Sequence, residues 1–353
     1  MEKMSIGILY GGQSTEHEVS MRSAASVLEA LDKTKYDVSL IHITKEGEWL
    51  LADHNEEIEA LVDGENAVQL SILPSQQFNS QKGACRFDVM LPILHGTAGE
   101  DGVVQGVLEM MGIPYAGCNV RSSAVCMDKD MTKRLLKLEG IQVADWVVYR
   151  YDEKEDVDFD IAKEQLGLPM FVKPVNQGSS VGVSKVTDKA SFDKAVALAF
   201  QFDTKVMAES AVNGREIEVS VLGNAELTAS VPGEIVANTD FYSYESKYED
   251  EDGAALEIPA KLPLQTSDAI RRTALDVYRA LDCEGMARVD VFLTDQDAVI
   301  VNEVNTLPGF TSISMYPKLL EASGIAYPEL LDQLISLARE RSSREKALKT
   351  DLM

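Results

Sequence analysis

Residues 287–304 put acids where burial is expected. Two apolar runs, Ala287 to Leu293 and Ala298 to Val304, flank the polar segment Thr294-Asp295-Gln296-Asp297, and Val289, Val291 and Leu293 alternate with Arg288, Asp290 and Phe292. This is the pattern of a β-hairpin, two strands joined by a short polar turn. A turn centred between Gln296 and Asp297 sets Asp290 across from Glu303, and Asn305, two residues further on, shares the face of Glu303. Three oxygen-bearing side chains then converge on one patch. Unpaired carboxylates there are costly, so something positive must sit among them. Asp290, Glu303 and Asn305 are hard oxygen donors of the kind Mg2+ accepts beside nucleotide phosphates. Arg288 shares the face of Asp290 and is placed to steady charge on a reacting oxygen. A salt-bridged surface ladder is the competing reading; the burial that Val289, Val301 and Val304 need weakens it.

The first third alternates strand and helix. "SIGILYGG" reads as a strand ending in a Gly-Gly turn, "EVSMRSAASVLEALD" as an amphipathic helix, "YDVSLIHIT" and "FDVMLPILHG" as further strands, and "VVQGVLEMMG" as a helix closed by Gly112. Crossover helices between strands predict an open α/β domain with a parallel sheet over residues 1–125. Ligands in such sheets sit at the carboxyl ends of the strands, here Gly11-Gly12 and His95-Gly96. "MDKDMTKRLLKLEG" predicts a helix that opens a second segment, 126–218. From about residue 169 short strands dominate, which predicts α+β architecture through 218 and again through 219–353. No internal repeat or low-complexity tract is present.

Several stretches offer chemistry, each with a plainer alternative. In "FVKPVNQGSSVGVSKV", small residues between two strands make either an ordinary glycine-turn hairpin or a flap whose N–H groups and hydroxyls, Ser179 and Ser180 among them, wrap phosphate oxygens. The stretch matches neither the P-loop nor the Rossmann pattern. In "YGGQSTEHEVS", Glu16 is either a capping acid or an acid that meets a substrate ammonium, with the helix start beside it suited to a carboxylate. His95 stands at a strand end among glycines, a position as suited to a structural histidine as to a functional one. "DFYSYESKYEDEDG" is a solvated loop or a lid over 238–254 that excludes water, carrying Tyr244, Lys247 and Tyr248. "NTLPGFTSISMYP" turns at Pro308-Gly309 and offers Ser312 and Ser314 to a carboxylate, or simply caps the last helices.

Composition narrows the partners. The formal charge is -25, with 33 Lys and Arg against 58 Asp and Glu, and no Lys/Arg-rich block. Such a chain repels nucleic acid and anionic lipid, so neither is expected as a partner. No apolar run approaches the ~20 residues of a membrane helix. The start of the chain reads as a first strand and not a secretory signal. Cys85, Cys118, Cys126 and Cys283 form no CxxC pair, which argues against a zinc site and for a reduced, cytoplasmic setting.

Taken together, "VKPVNQGSSVGVSKV", "ARVDVFL" and "NEVNTLPGFTSISMYPKL" resemble the ATP-grasp fold. With "GGQSTEHEVS", "LHGTAGEDGVVQG", "CMDKDMTKRLL" and "DFYSYESKY", the chain resembles the D-alanine–D-alanine ligase family over about residues 5 to 340, most closely its enterobacterial A-type members. The resemblance implies an α/β N-terminal domain followed by ATP-grasp central and C-terminal domains. It implies ATP-dependent joining of two D-alanines through a D-alanyl phosphate for peptidoglycan precursors, in a cytoplasmic homodimer. ATP and two Mg2+ or Mn2+ ions are the implied cofactors; a monovalent cation is left open.

By resemblance, Glu16 holds the first D-alanine's ammonium, and Ser179 ties Glu16 to Tyr248. Lys129 and Lys173 reach ATP phosphates, with Ser180 on the flap and Lys247 on the lid; Glu209 and Glu216 serve adenine and ribose. Asp290, Glu303 and Asn305 bind the metals, while Arg288 and the Gly309 backbone stabilise the oxyanion. Ser314 takes the second D-alanine's carboxylate, and His95 lies near the first. Ser210 replaces a lysine that some relatives carry after the position of Glu209. Tyr248 and the apolar Met315 favour D-alanine as acceptor over D-lactate or D-serine. The alternatives are a D-Ala–D-Ser or D-Ala–D-lactate ligase, another ATP-grasp carboxylate–amine ligase, and a nucleotide-binding protein without catalysis, which would be expected to lack one of the metal ligands or Arg288.

Overall fold

The computed structural model describes residues 3–51, 67–74, 77–237 and 254–349. Lys247, Tyr248 and all but the last residue of the proposed lid, 238–254, lie outside the described residues.

The first sheet is built on β1 (Met4–Gly11), which runs parallel to β2 (Tyr36–Ile43) and β8 (Val89–Leu94). Ile6, Ile8 and Tyr10 pack with Met21, Ala24 and Val27 of α1 (His17–Ala30), while Leu9 faces Val104 and Leu108 of α2 (Val103–Met110). Both faces are covered, so the strand is apolar throughout instead of alternating. The sheet is not wholly parallel as the sequence suggests. β3 (Trp49–Leu51) and β4 (Val68–Gln69) extend it antiparallel. The cause is local: Thr44 N–H donates to Glu48 C=O at 2.9 Å and Gly47 takes φ +89°, so the chain doubles back after β2 instead of crossing over. A small antiparallel sheet of β5 (Ser71–Leu73), β6 (Gln77–Ser80) and β7 (Gly83–Cys85) precedes β8.

The helix expected over 127–140 is α4 (Lys129–Leu138), and α3 (Val120–Met127), which the sequence reading does not anticipate, precedes it. Asp128 separates them in an extended conformation and accepts from the Met131 N–H at 2.9 Å, capping α4. The second sheet is antiparallel, order β11-β10-β12-β9, from β9 (Trp146–Arg150), β10 (Met170–Pro174), β11 (Ser184–Val186) and β12 (Lys205–Ser210). Its apolar face packs on α5 (Phe159–Leu166) and α6 (Lys189–Ala199). Asp158 caps α5, accepting from the Asp160 and Ile161 N–H groups.

The third sheet comprises β13 (Gly214–Gly223), β14 (Thr228–Ala229), β15 (Gly233–Ala237), β16 (Ala254–Glu257), β17 (Gly285–Thr294) and β18 (Val299–Asn305). Its main order is β16-β15-β13-β17-β18. α7 (Leu264–Ala280) covers one face. α8 (Met315–Ala322) and α9 (Tyr327–Lys346) follow, and α9 sends Leu330, Leu331, Leu334 and Ile335 back into the core of the first sheet. The first and third sheets therefore share one hydrophobic cluster. The end of β8, the β10–β11 flap and the β17–β18 hairpin meet beside it. Among the described residues, no helix is long and apolar enough to cross a membrane.

Candidate active site

In the hairpin, Asp290 pairs with Glu303 and Arg288 with Asn305. The Arg288 guanidinium forks onto Asp290, Nε to Oδ1 at 2.8 Å and Nη2 to Oδ2 at 2.7 Å, and its Nε also lies 2.9 Å from Glu218 Oε2 on β13. Burial opposes a charged guanidinium, but Asp290 and Glu218 outweigh it and push the Arg288 pKa well above its usual range. Asn305 Nδ2 donates to Asp290 Oδ2 at 2.9 Å, which leaves the amide oxygen as its acceptor atom. Lys129 Nζ lies 3.5 Å from Glu303 Oε2 and donates to the Gln177 carbonyl of the flap at 2.7 Å. The positive partners that the acids call for are thus supplied within the chain by Arg288 and Lys129. Two carboxylates and a carboxamide oxygen from adjacent strands remain a hard-oxygen donor set suited to a divalent cation.

Glu16 is buried at the start of α1, but its side chain makes no capping hydrogen bond, so the capping reading is set aside. Instead it accepts from the Ser179 hydroxyl on the flap. Two glycines pack closely beside it. A Cβ on Gly96, where φ is +72°, would lie 2.7 Å from Glu16 Oε2, and one on Gly178 would lie 3.2 Å away. The flap itself is strained: Ser179 and Ser180 adopt φ +49° and +59°, a region that non-glycine residues seldom enter. Glu100 lies beyond Glu16, its Oε1 accepting from the Gly96 N–H at 2.9 Å. Burial, then repulsion from Glu16, pushes the Glu100 carboxyl up to about 8. Glu100, Lys129, Gly178, Glu303, Asn305 and Thr306 line one cavity.

The loop after β18 closes the site. Ser314 Oγ would lie 2.8 Å from a Cβ on Gly309 and accepts from the Thr311 N–H at 3.0 Å. Met315 is buried with its methyl group against Gly233 of β15. His95 is buried and bonds Ser23 and the Leu307 carbonyl.

A second centre sits under the flap. Glu209 on β12 takes Lys173 of β10 at 2.6 Å on one oxygen and Lys133 of α4 on the other. Burial alone would raise the Glu209 carboxyl, but Lys173 and Lys133 together hold it down to about 2. Lys133 shares that carboxylate, and burial lowers its own pKa. Lys173 therefore stands with Glu209, and Lys129 with Glu303. Glu216 lies on β13 opposite Phe292, and Ser210 Oγ donates to the Asp145 carbonyl at 3.3 Å.

Comparison with known proteins decides the lineage. The family described as D-ala D-ala ligase N-terminus matches residues 5–118, and D-ala D-ala ligase C-terminus matches 135–336. The D-alanine–D-alanine ligase of Oceanobacillus iheyensis is 51% identical over 99% of this chain and 98% of its own length. The D-alanine–D-alanine ligase A of Salmonella typhimurium is 48% identical over 100% of both chains. The chain belongs to the D-alanine–D-alanine ligase family. Among solved structures, the D-alanine–D-alanine ligase of Coxiella burnetii matches with a TM-score of 0.87 at 40% identity, covering 98% of this chain and 97% of that one. VanG D-Ala:D-Ser ligase of Enterococcus faecalis also matches at 0.87, with 36% identity over 96% of this chain and 100% of that one. The Bacillus anthracis D-alanine–D-alanine ligase complexed with ATP matches at 0.75, with 32% identity over 97% and 99%. These neighbours carry the ATP-grasp fold expected from the sequence motifs.

For a member of the D-alanine–D-alanine ligase family, the site holds three charged residues that sequence reasoning passes over. Lys133 had a signal: it follows Lys129 by one helical turn and shares its face. Glu218 and Glu100 had none, because their partners, Arg288 and Glu16, are remote in sequence.

Proposed function

We propose that this chain performs ATP-dependent joining of two D-alanines to D-alanyl-D-alanine, for peptidoglycan precursor synthesis. The carboxylate of the first D-alanine attacks the γ-phosphate of ATP, giving D-alanyl phosphate and ADP. The amine of the second then attacks the acyl carbon, and phosphate leaves. A carboxylate is a poor electrophile, so phosphorylation supplies the leaving group and the protein supplies position and charge.

The observation that carries this reading is a cavity lined by Glu100, Lys129, Gly178, Glu303 and Asn305, with Glu16 bonded to the flap through Ser179 and Asp290 bonded to Asn305 and Arg288. Glu16 orients the first ammonium, and Ser179 closes the flap over it. Lys129, Lys173, Ser180 and, from the lid, Lys247 face nucleotide phosphates; Glu209 and Glu216 lie toward the base and ribose. Arg288 and the Gly309 backbone receive charge developing on the acyl oxygen. Ser314 receives the second carboxylate, Tyr248 and Met315 favour a D-alanine acceptor, and His95 lies by the first substrate. Asp290, Glu303 and Asn305 would hold Mg2+, or Mn2+, which when bound neutralises phosphate charge. We take the working form to be a cytoplasmic homodimer with domains over 1–125, 126–218 and 219–353.

The test is a competition assay with ATP and equimolar D-alanine, D-lactate and D-serine at neutral pH. Phosphate release dependent on D-alanine, with D-Ala-D-Ala as the main product, is expected. A dominant depsipeptide or D-Ala-D-Ser product overturns the acceptor, and no D-alanine-dependent phosphate release overturns the ligase reading.

A further inference from the structure

The turn expected at Pro308-Gly309 is not formed: the chain bends at Thr306 and Leu307 and runs without a bend from Pro308 to Phe310. Both ends of that short run are held by side chains from elsewhere in the fold. The Leu307 carbonyl takes His95 Nδ1 at 3.1 Å, and the Phe310 N–H donates to Ser23 Oγ at 3.3 Å. Ser23 Oγ lies 3.2 Å from His95 Nε2. Two side chains, one from α1 and one from the end of β8, thus bridge the Leu307 carbonyl to the Phe310 N–H.

Proton counting fixes every donor in this relay. A carbonyl only accepts, so Nδ1 of His95 carries the proton. A neutral imidazole has one N–H, so Nε2 is the acceptor and the Ser23 hydroxyl donates to it. Ser23 Oγ keeps a lone pair for the Phe310 N–H. An imidazolium would turn Nε2 into a second donor toward Ser23 and strand the hydroxyl proton. Ser23 has 0% of its surface exposed, so no solvent takes that proton up. Burial also pushes the His95 pKa down. The Phe310 carbonyl, on the far side, is held by the Tyr327 hydroxyl at 2.7 Å.

We propose that Ser23 and His95 are positioning residues that clamp the Leu307–Phe310 segment at both ends and so fix the place of the Gly309 backbone between them. His95 then acts as a neutral strut with both ring nitrogens committed to structure, and not as a proton carrier. The catalytic part of this inference rests on the proposed ligase reading; the geometry of the clamp does not.

The experiment uses the full chain labelled with 15N-histidine, with His95 assigned by loss of its signals in His95→Gln. Long-range 1H–15N spectra are expected to show His95 protonated at Nδ1 and unprotonated at Nε2 throughout pH 5.5–8.5. In parallel, Ser23→Ala is expected to lower kcat about tenfold or more with KM for D-alanine nearly unchanged, because the Gly309 contact matters only as charge develops. A proton on Nε2, titration of His95 near its ordinary value of about 6.5, or an unchanged kcat in Ser23→Ala overturns the proposal. The spectrum of the unmutated protein decides the clamp even where Ser23→Ala does not fold. Should the unmutated protein show the expected tautomer but no ligase turnover, the clamp stands and the proposed function falls.

Discussion

Asp290 stands opposite Glu303, yet its neighbour Val291 stands opposite Val301, so Asn302 is an extra residue in β18. This bulge reconciles two demands on the strand. Val301 and Val304 are both buried, three residues apart, which a regular two-residue alternation cannot achieve on one face. With Asn302 bulged, both valines reach the core, while Glu303 and Asn305 look to the site.

Replacing Asp290 by Asn tests the donor set. Arg288 keeps Glu218 as a partner, so the fold survives with a modest loss of stability. Turnover is expected to fall at least a hundredfold, as when a preorganised charge contact is removed. Steady-state phosphate release checks the first part and thermal unfolding the second; near-normal turnover removes Asp290 from the reaction.

Glu209 makes stability depend on acid. Its carboxyl is held down to about 2 in the folded chain, against about 4.3 when unfolded. Its contribution is present above the unfolded value and is lost as pH falls through the folded one, so the window is roughly pH 4.3 down to 2. Glu209→Gln strands Lys133 and Lys173 and is expected to cost on the order of 3 kcal/mol at pH 7. That deficit narrows below pH 4. Denaturant melts at pH 7 and pH 3 measure it, and an equal deficit at both values contradicts the assignment.

Glu100 works in the opposite sense. Its folded value, about 8, lies above the unfolded one, so its contribution is full below about 4.3 and is lost as pH rises through 8. Glu100→Gln in the ligand-free protein is therefore expected to raise Tm more at pH 8 than at pH 5. A Tm difference that does not change with pH would mean that Glu100 is ionised throughout.

Gly96→Ala probes the packing around Glu16. The added methyl meets Ser14 Oγ at 2.6 Å and Glu16 Oε2 at 2.7 Å, and the left-handed backbone adds about 1 kcal/mol of strain. The expected outcome is a several-fold rise in KM for D-alanine and a Tm lowered by a few degrees. Unchanged KM would place the first substrate away from Glu16.

The hairpin was legible because Val289, Val291 and Leu293 keep a strict alternation. Its turn, though, centres on Gln296, with Leu293 opposite Val299, and only the extra residue Asn302 brings Asp290 opposite Glu303 as expected. The same arithmetic missed the bulge, though the Val301–Val304 spacing carries its trace. The helix over 127–140 was legible and is α4; α3, which ends just before Asp128, was not. Asp128 marks the break between them, capping the Met131 N–H and meeting Lys205 Nζ at 3.0 Å. Glu100 drew no reading from the sequence. Its shifted pKa arises from burial beneath the flap and the nearness of Glu16, which no local pattern encodes. The antiparallel edge of the first sheet turned on one glycine, Gly47, inside a segment that reads equally well as the start of a crossover.

The two left-handed serines of the flap have a consequence at Glu16. Each holds a backbone conformation that costs about 1 kcal/mol or more, met while the Ser179 hydroxyl grips Glu16. The cost of that backbone and the grip on Glu16 are therefore coupled: a change at Glu16 is felt in the flap's conformation as well as at the substrate it orients.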